Sequence, residues 1–347
     1  MIGSGVGIVF VYLKATYFIN NYHLLSMGQL SFLSIGLSNK KLRCQKFLDE
    51  MEQVAPWQRL VDIIKPYYYS DSGNKGGRPA FDLELMLKIH CLQQWLGLSD
   101  PAMEDGIYDR NSFQQFLKID LIGDKVPDET TILNFRHLLE RHNLSKALFK
   151  QINSYLQEHN LLLKEGTAID ATLISAPTST KNKDKKRDPE MSSTKKGENY
   201  YFGMKAHIGV QSRGKSIIHS LEGSTAKDHD STKTEELLHG DETDIFADKA
   251  YDNKEIKQFC RNNNIFYGIT NKAKRNKKLS NKQRKRNKQF SSVRAKVEHP
   301  FQIIKCQWHY RKVRYRGLKK NIAQLHTLCG LANLFMVRKT LLGLGLT

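Results

Sequence analysis

Residues 166–175 read GTAIDATLIS, a run of small and β-branched residues in which one carboxylate, Asp170, sits among apolar neighbours. Bounded by polar sequence, such a run predicts a strand. Working outward, YYFGMKAHIGV (200–210) and KSIIHSLEG (215–223) predict two further strands, DIFADKAY (244–251) a buried one and IFYGIT (265–270) another. Helical spacing in DSTKTEELL (230–238) and NKEIKQFCRNN (253–263) predicts helices between them. Strands followed by a helix–strand alternation predict an α/β layout.

The sequence before Gly166 has a different period. From about Leu42 to Asn160 the apolar residues recur at helical spacing, as with Met86, Ile89, Gln93 and Leu96, and again with Ile132, Phe135, Leu138 and Leu139. Asp82 is placed to cap the first of these helices, Asp100 with Pro101 at N1 to start the next, and Pro127 with Asp128 to start a third. GNKGGRPAF (73–81) predicts a linker in which Arg78 is available to a phosphate. The expected organisation is an all-helical domain over 27–160 and an α/β domain over 166–340, the latter carrying a basic loop at 271–290. Residues 1–26 have an apolar run with no basic residue before it, unlike a secretory leader, and Met27 offers a second start, so 1–26 read as an upstream start extension.

With 347 residues, 39% of them hydrophobic, the chain can bury a sizeable core. Its formal charge of +20 is unevenly placed: residues 1–165 hold 18 basic and 18 acidic side chains, whereas 166–347 hold 37 and 17. This asymmetry points to a polyanionic partner such as nucleic acid. Beyond Glu255 the chain has 23 Lys and Arg and a single carboxylate, Glu298. Five scattered cysteines without a C-x-x-C pair argue against a zinc ribbon or a disulfide framework, and so for a reducing cytoplasm. No uninterrupted apolar stretch is long enough to span a membrane.

GVQSRGKS (209–216) matches the phosphate-loop pattern G-x4-G-K-[ST], but that loop has to open a helix. Here Ile217 and Ile218 continue as a strand, so a hairpin turn is the better reading. Asp170 and Asp248 each lie within a predicted strand, where a desolvated carboxylate needs a partner or a metal. Either alone is also compatible with a turn cap or a lysine pair. Glu298 admits an ion pair with Arg294 one turn away, yet a negative charge on a phosphate-binding face repels its ligand unless it carries a divalent cation. Strand Asp, second strand Asp and helical Glu suit two Mg²⁺ ions about 4 Å apart that serve the attacking and leaving oxygens of a phosphodiester. The basic run supplies Lys272, Lys274, Arg275, Lys277, Lys278, Arg284, Lys285 and Arg286 for phosphate contacts. His207, His229 and His299 receive no catalytic role, and Trp308 is read as core.

Six stretches taken together resemble the DDE transposases of bacterial insertion sequences, specifically the insertion sequence five family. They are RPAFDLELMLKIHCLQQWLGLSDPAMED, VPDETTILNFRHLLE, AIDATLI, KKRDPEMSSTKKGENYYFGMKAHIGV, ADKAYD and RAKVEHPFQIIK, and they span about residues 45–335. The resemblance implies an RNase H-like catalytic domain, with Asp170, Asp248 and Glu298 matching the DDE triad and holding Mg²⁺, for which Mn²⁺ can substitute. The superfamily pattern Y-x2-R-x3-E-x6-K is met by Arg294, Glu298 and Lys305, with Ser291 in place of the tyrosine. On one continuous helix those three would share a face addressing a DNA strand, although Pro300 predicts a kink near Lys296. The implied partners are double-stranded DNA, as terminal inverted repeats and as target, and a second copy of the chain in a nucleoid-associated paired-end complex. Recognition of the element's ends falls to the helical domain, with Arg136 or Arg141 as candidates. Two other classes share these features, an RNase H-like nuclease that cuts without joining and a non-catalytic DNA-binding protein.

Overall fold

Side-chain caps set the start of three helices in the N-terminal half. The structure, a computed structural model, describes residues 41–71, 79–163, 165–273 and 278–345. The proposed extension at 1–26 and the cations Arg78, Lys274, Arg275 and Lys277 lie outside the described residues. From Phe47 onward the chain forms one unit. Seven helices come first: α1 (Arg43–Val54), α2 (Trp57–Asp71), α3 (Leu83–Leu96), α4 (Asp100–Asp109), α5 (Asn111–Leu117), α6 (Glu129–Arg141) and α7 (Leu144–Glu158). Asp82 accepts from the Leu85 amide and Asp128 from the Thr131 amide, satisfying first-turn donors that would otherwise be orphaned. At α4 the cap is Ser99, which accepts from Ala102, and Asp100 is the first helical residue, one position from the expectation. Helix α3 is buried nearly all round, from Leu83 to Trp95, and is the centre of this module.

A six-stranded mixed sheet follows: β1 (Gly166–Ser175), β2 (Ser192–Lys196), β3 (Asn199–Gln211), β4 (Ile218–Thr225), β5 (Asp244–Ala247) and β6 (Phe266–Ile269). β3 lies antiparallel to β1 on one edge and to both β2 and β4 on the other, while β1, β5 and β6 run parallel. The path β4-β3-β1-β5-β6, three antiparallel strands and then two parallel ones, is the RNase H-like arrangement that the resemblance implies. GVQSRGKS closes β3 and turns into β4, a hairpin with no helix behind it. DSTKTEELL forms two 3-10 turns, Asp230–Lys233 and Glu235–Leu237, instead of the expected helix.

α8 (Lys254–Asn262) joins β5 to β6, and α9 (Asn281–Arg294) follows. The expectation of a basic loop at 271–290 is therefore corrected over its second half. Ser280 and Gln283 form a capping box, and Phe290 anchors the helix 5.8 Å from Phe246 and 5.7 Å from Phe266. Lys, Arg and Gln are good helix formers, and one buried aromatic on a stretch without apolar periodicity is enough to dock it. The chain then breaks into a 3-10 turn (Ala295–Val297), α10 (Glu298–Gln302) and a π turn (Ile303–Gln307), so the irregularity expected near Lys296 falls there. Trp308 is buried.

The last helix, α11 (Leu318–Gly343), packs against both α7 and β4 and so fastens the helical module to the sheet. Asn333 is fully buried at this junction. It accepts from the Ile218 amide (2.8 Å) and donates to the Ile218 carbonyl (2.7 Å) and to Asn153 Oδ1 (2.8 Å). Asn333→Leu would take the side-chain acceptor from the Ile218 amide and leave the Ile218 carbonyl only its 3.2 Å bond from Asn153 Nδ2, a loss of about 2 kcal/mol. Urea unfolding at neutral pH measures this, and a loss below about 1 kcal/mol would show that the junction does not depend on these bonds. Among the described residues no helix is long and apolar enough to cross a membrane.

Candidate active site

Asp170 and Asp248 are brought level by strand register. β1 and β5 pair in parallel through Ala168 and Phe246, and each aspartate lies two residues further on, Asp170 in the middle of β1 and Asp248 just past the carboxyl end of β5. Paired strands run about 4.8 Å apart, so the two carboxylates emerge side by side. Asp170 Oδ1 accepts from the Ala171 amide (2.9 Å), and Oδ2 accepts from Arg294 Nη1 (2.5 Å). Asp248 caps the 3-10 turn Lys249–Tyr251 by accepting from the Ala250 amide (2.6 Å).

Burial pushes the Asp170 carboxyl above its ordinary value; the Arg294 guanidinium and the Ala171 amide pull it down, and the charges of Asp248 and Asp230 push it up again. Three carboxylates therefore act on one small region. Asp230, which sequence reasoning missed, opens a 3-10 turn and pairs with Lys205 Nζ at 2.8 Å. Beside them the Tyr251 hydroxyl is buried without a hydrogen-bond partner among the described residues. Its ring packs in the core with Ile169, Ile245 and Ala247. Burial first, then the charges of Asp230, Asp170 and Asp248, drive its pKa up, so it stays protonated. A buried hydroxyl without a partner among the described residues suits a ligand that brings its own oxygen atoms.

Hard oxygen donors fit a divalent cation, and Asp170 and Asp248 offer them from two adjacent strands of the sheet. Glu298 stands apart. It opens α10, is exposed, and its side chain makes no hydrogen bond or ion pair among the described residues. No group of three His, Cys, Asp or Glu side chains is gathered at metal-holding distance among the described residues.

The single helical face expected for Arg294, Glu298 and Lys305 is replaced by three separate placements, because the 3-10 and π turns break the helix between them. Arg294 is turned onto Asp170. Lys305 Nζ donates to Thr172 Oγ1 (2.7 Å) and to the Leu173 carbonyl (2.6 Å), two and three residues along the same strand. Burial and then the charge of Lys196 lower its pKa. Lys272, Lys278, Arg284, Lys285 and Arg286 are exposed, the last three on α9. With no acidic residue in its first turn, α9 adds the positive end of its dipole to these cations.

The histidines have structural partners. His207 Nε2 lies 2.8 Å from Ser224 Oγ, His229 accepts from the Ser231 amide, and His299 Nδ1 lies 3.2 Å from Ser216 Oγ. Arg136, a candidate for end recognition, is instead buried. It pairs with Asp100 (2.8 Å) and Glu140 (3.3 Å) and stacks 4.2 Å from the Tyr315 ring, so its charge is spent inside the protein.

Two family models match the chain, one described as Transposase DDE domain over residues 162–334 and one as Transposase domain (DUF772) over 38–138. The first spans all six strands and the three matched carboxylates, the second most of the helical module. No solved structure matches the chain.

Proposed function

Because the chain belongs to the DDE transposases of the insertion sequence four/five kind, we propose that it cleaves DNA at the terminal inverted repeats of its own element and joins the freed 3′ ends to target DNA. Its motif spacing supports assignment to the insertion sequence five family within that kind. The observation that carries the reading is the level pair Asp170, within β1, and Asp248, just past the end of the adjacent parallel β5, with the Tyr251 hydroxyl beside them unpartnered among the described residues.

In this reading Asp170, Asp248 and Glu298 hold divalent cations, with Mg²⁺ as the expected ion. Those cations supply Lewis acidity to the attacking and leaving oxygens. Arg294 orients Asp170 by fixing Oδ2, while the Ala171 amide fixes Oδ1. Glu298 lies one turn beyond Arg294 and is unpaired, so its side chain has the freedom to join the pair. Water attacks the phosphorus at the element's end, the bond to the 3′ oxygen breaks, and that oxygen leaves with a proton as a 3′-hydroxyl. The hydroxyl then attacks a target phosphodiester, one P–O bond forming as another breaks. The α9 cations and the basic segment before them hold the backbone by sequence-independent contacts. Two ends have to be joined together, which calls for a dimer in a paired-end complex.

The test is to take the inverted repeats flanking the gene as duplex substrate, with the full chain, Mg²⁺ and a plasmid target. Expected are 3′-hydroxyl ends at the repeat boundary and products joined to the plasmid. Cleavage without joined products would make the protein a nuclease, and no cation-dependent cleavage would overturn the reading.

A further inference from the structure

Three of the four acids in the segment between β1 and β3 are engaged at the start of α11, and its cations are left outside. Asp188 and Glu190 accept from the Gly317 and Leu318 amides at the start of α11, and Asp184 pairs with Arg316 at 2.8 Å. What projects is the β2–β3 hairpin, closed by Gly197 and Glu198, with Gly197 at φ +63°, the left-handed turn geometry that favours glycine. Lys195 lies directly across from Tyr200, its Nζ 5.6 Å from the ring centroid, and Tyr200 is 77% exposed. A large aromatic so exposed at a hairpin tip has no packing role on the side away from Lys195.

Register ties this tip to the acidic site. Directly opposed residues of antiparallel strands share a sheet face. Asp170 opposes Ile208, Thr172 opposes Ala206 and Ile174 opposes Met204, so the even-numbered residues of β3 back to Tyr200 lie on the Asp170 face. Along that face stand Thr172 with Lys305 bound to it, then Phe202 with Arg187 5.5 Å over its ring, then Tyr200 with Lys195. The charge of Lys196 also reaches Lys305. Glu198 is the one carboxylate at the turn, 3.7 Å from Lys195 Nζ and almost wholly exposed, so it offsets little.

We propose that the β2–β3 hairpin binds an unpaired stretch of the DNA strand that passes the Asp170 site, Tyr200 stacking on a base while Lys195, on the same face, holds an adjoining phosphate. A ring face accepts a base only when that base is free of its own neighbour, which is why the ligand is single-stranded and why recognition tolerates any base. The hairpin would hold the strand displaced when an end is opened for cleavage. This rests on the reading of Asp170 as the cleavage site.

The test uses the full chain in EDTA with two fluorescent probes, an oligothymidine of about twenty nucleotides and a random-sequence duplex of similar length. Tyr200→Ala is expected to weaken oligothymidine binding about tenfold and to leave duplex binding unchanged. Tyr200→Phe, which keeps the ring face, is expected to bind as wild type. Tyr200→Thr, a strand former without a ring, is expected to lose as much as Ala. Lys195→Ala is expected to flatten the salt dependence of oligothymidine binding by about 0.7 in log–log slope. Undiminished binding by Tyr200→Ala, or rescue by Thr, overturns the proposal. The assay contains no cation and cuts nothing, so its failure leaves the cleavage reading intact. Cleavage surviving Asp170→Asn would remove that reading without touching this result.

Discussion

Asp170→Asn, Asp248→Asn and Glu298→Gln should each lower cation-dependent cleavage by more than about 1000-fold while leaving DNA binding in place, since each removes a negative oxygen donor and no phosphate contact. The three differ in what else they disturb. Asp170→Asn removes the anionic partner of Arg294, so some loss of stability accompanies the loss of chemistry. Glu298 is exposed and unpaired, so Glu298→Gln should alter unfolding free energy by no more than about 0.5 kcal/mol. Lost cleavage in that variant is therefore chemical in origin. Cleavage at the wild-type rate by Glu298→Gln would sink its place as third carboxylate and leave the Asp170 and Asp248 pair to be completed by another group. Gel assays of nicked duplex, run beside anisotropy binding in EDTA, separate the two effects.

A second large effect is expected in acid. His90, His207 and His326 are buried, and burial lowers each from the ordinary 6.5 to about 4. The unfolded chain binds protons at these positions near pH 6.5 and the folded chain only near pH 4, so between those values the unfolded state is favoured by added protons. Stability present above about pH 6.5 is lost as pH falls through the window, by about 2 kcal/mol per histidine between pH 7 and pH 5 and about 6 kcal/mol together. That is comparable with the whole stability of many domains. The sites lie in separate elements: His90 on α3, His207 on β3 beside Ser224, and His326 on α11 with Nδ1 2.9 Å from the Ile322 carbonyl. Urea unfolding at pH 7, 6 and 5 measures the slope, and a stability flat across that range would show that the histidines titrate normally. His207→Gln should remove about a third of the slope.

The two strand aspartates were legible in the sequence because each breaks an apolar run, and a charge with nowhere to hide in a strand has to be used or paired. The helix caps Asp82 and Asp128 were legible for a similar reason, since a cap's partner is only three residues away. Asp230 gave no such signal. It lies in the polar stretch TAKDHDST, and only the return from β4 brings it toward Asp170. Tyr251 reads as an ordinary core aromatic, and most of it is one; its hydroxyl becomes informative only once the surrounding acids are in place. Arg136 misled in the opposite direction, a cation on a helix whose partner Asp100 lies 36 residues earlier in the chain.

The basic run shows the same divide. Its composition declared a phosphate partner, and its lack of apolar periodicity hid α9, which depends on Phe290 reaching Phe246 and Phe266 across the sheet edge. Sequence alone determined the helical and α/β halves, the placement of charge, the strand carboxylates and most caps, because each depends on residues within a turn or two of one another. Tertiary structure decided that Arg294 and Lys305 turn onto β1, that Glu298 remains outside, and that Tyr200 shares a sheet face with Asp170. Those outcomes depend on strand register and on where a helix breaks, which are set by packing between segments far apart in the chain.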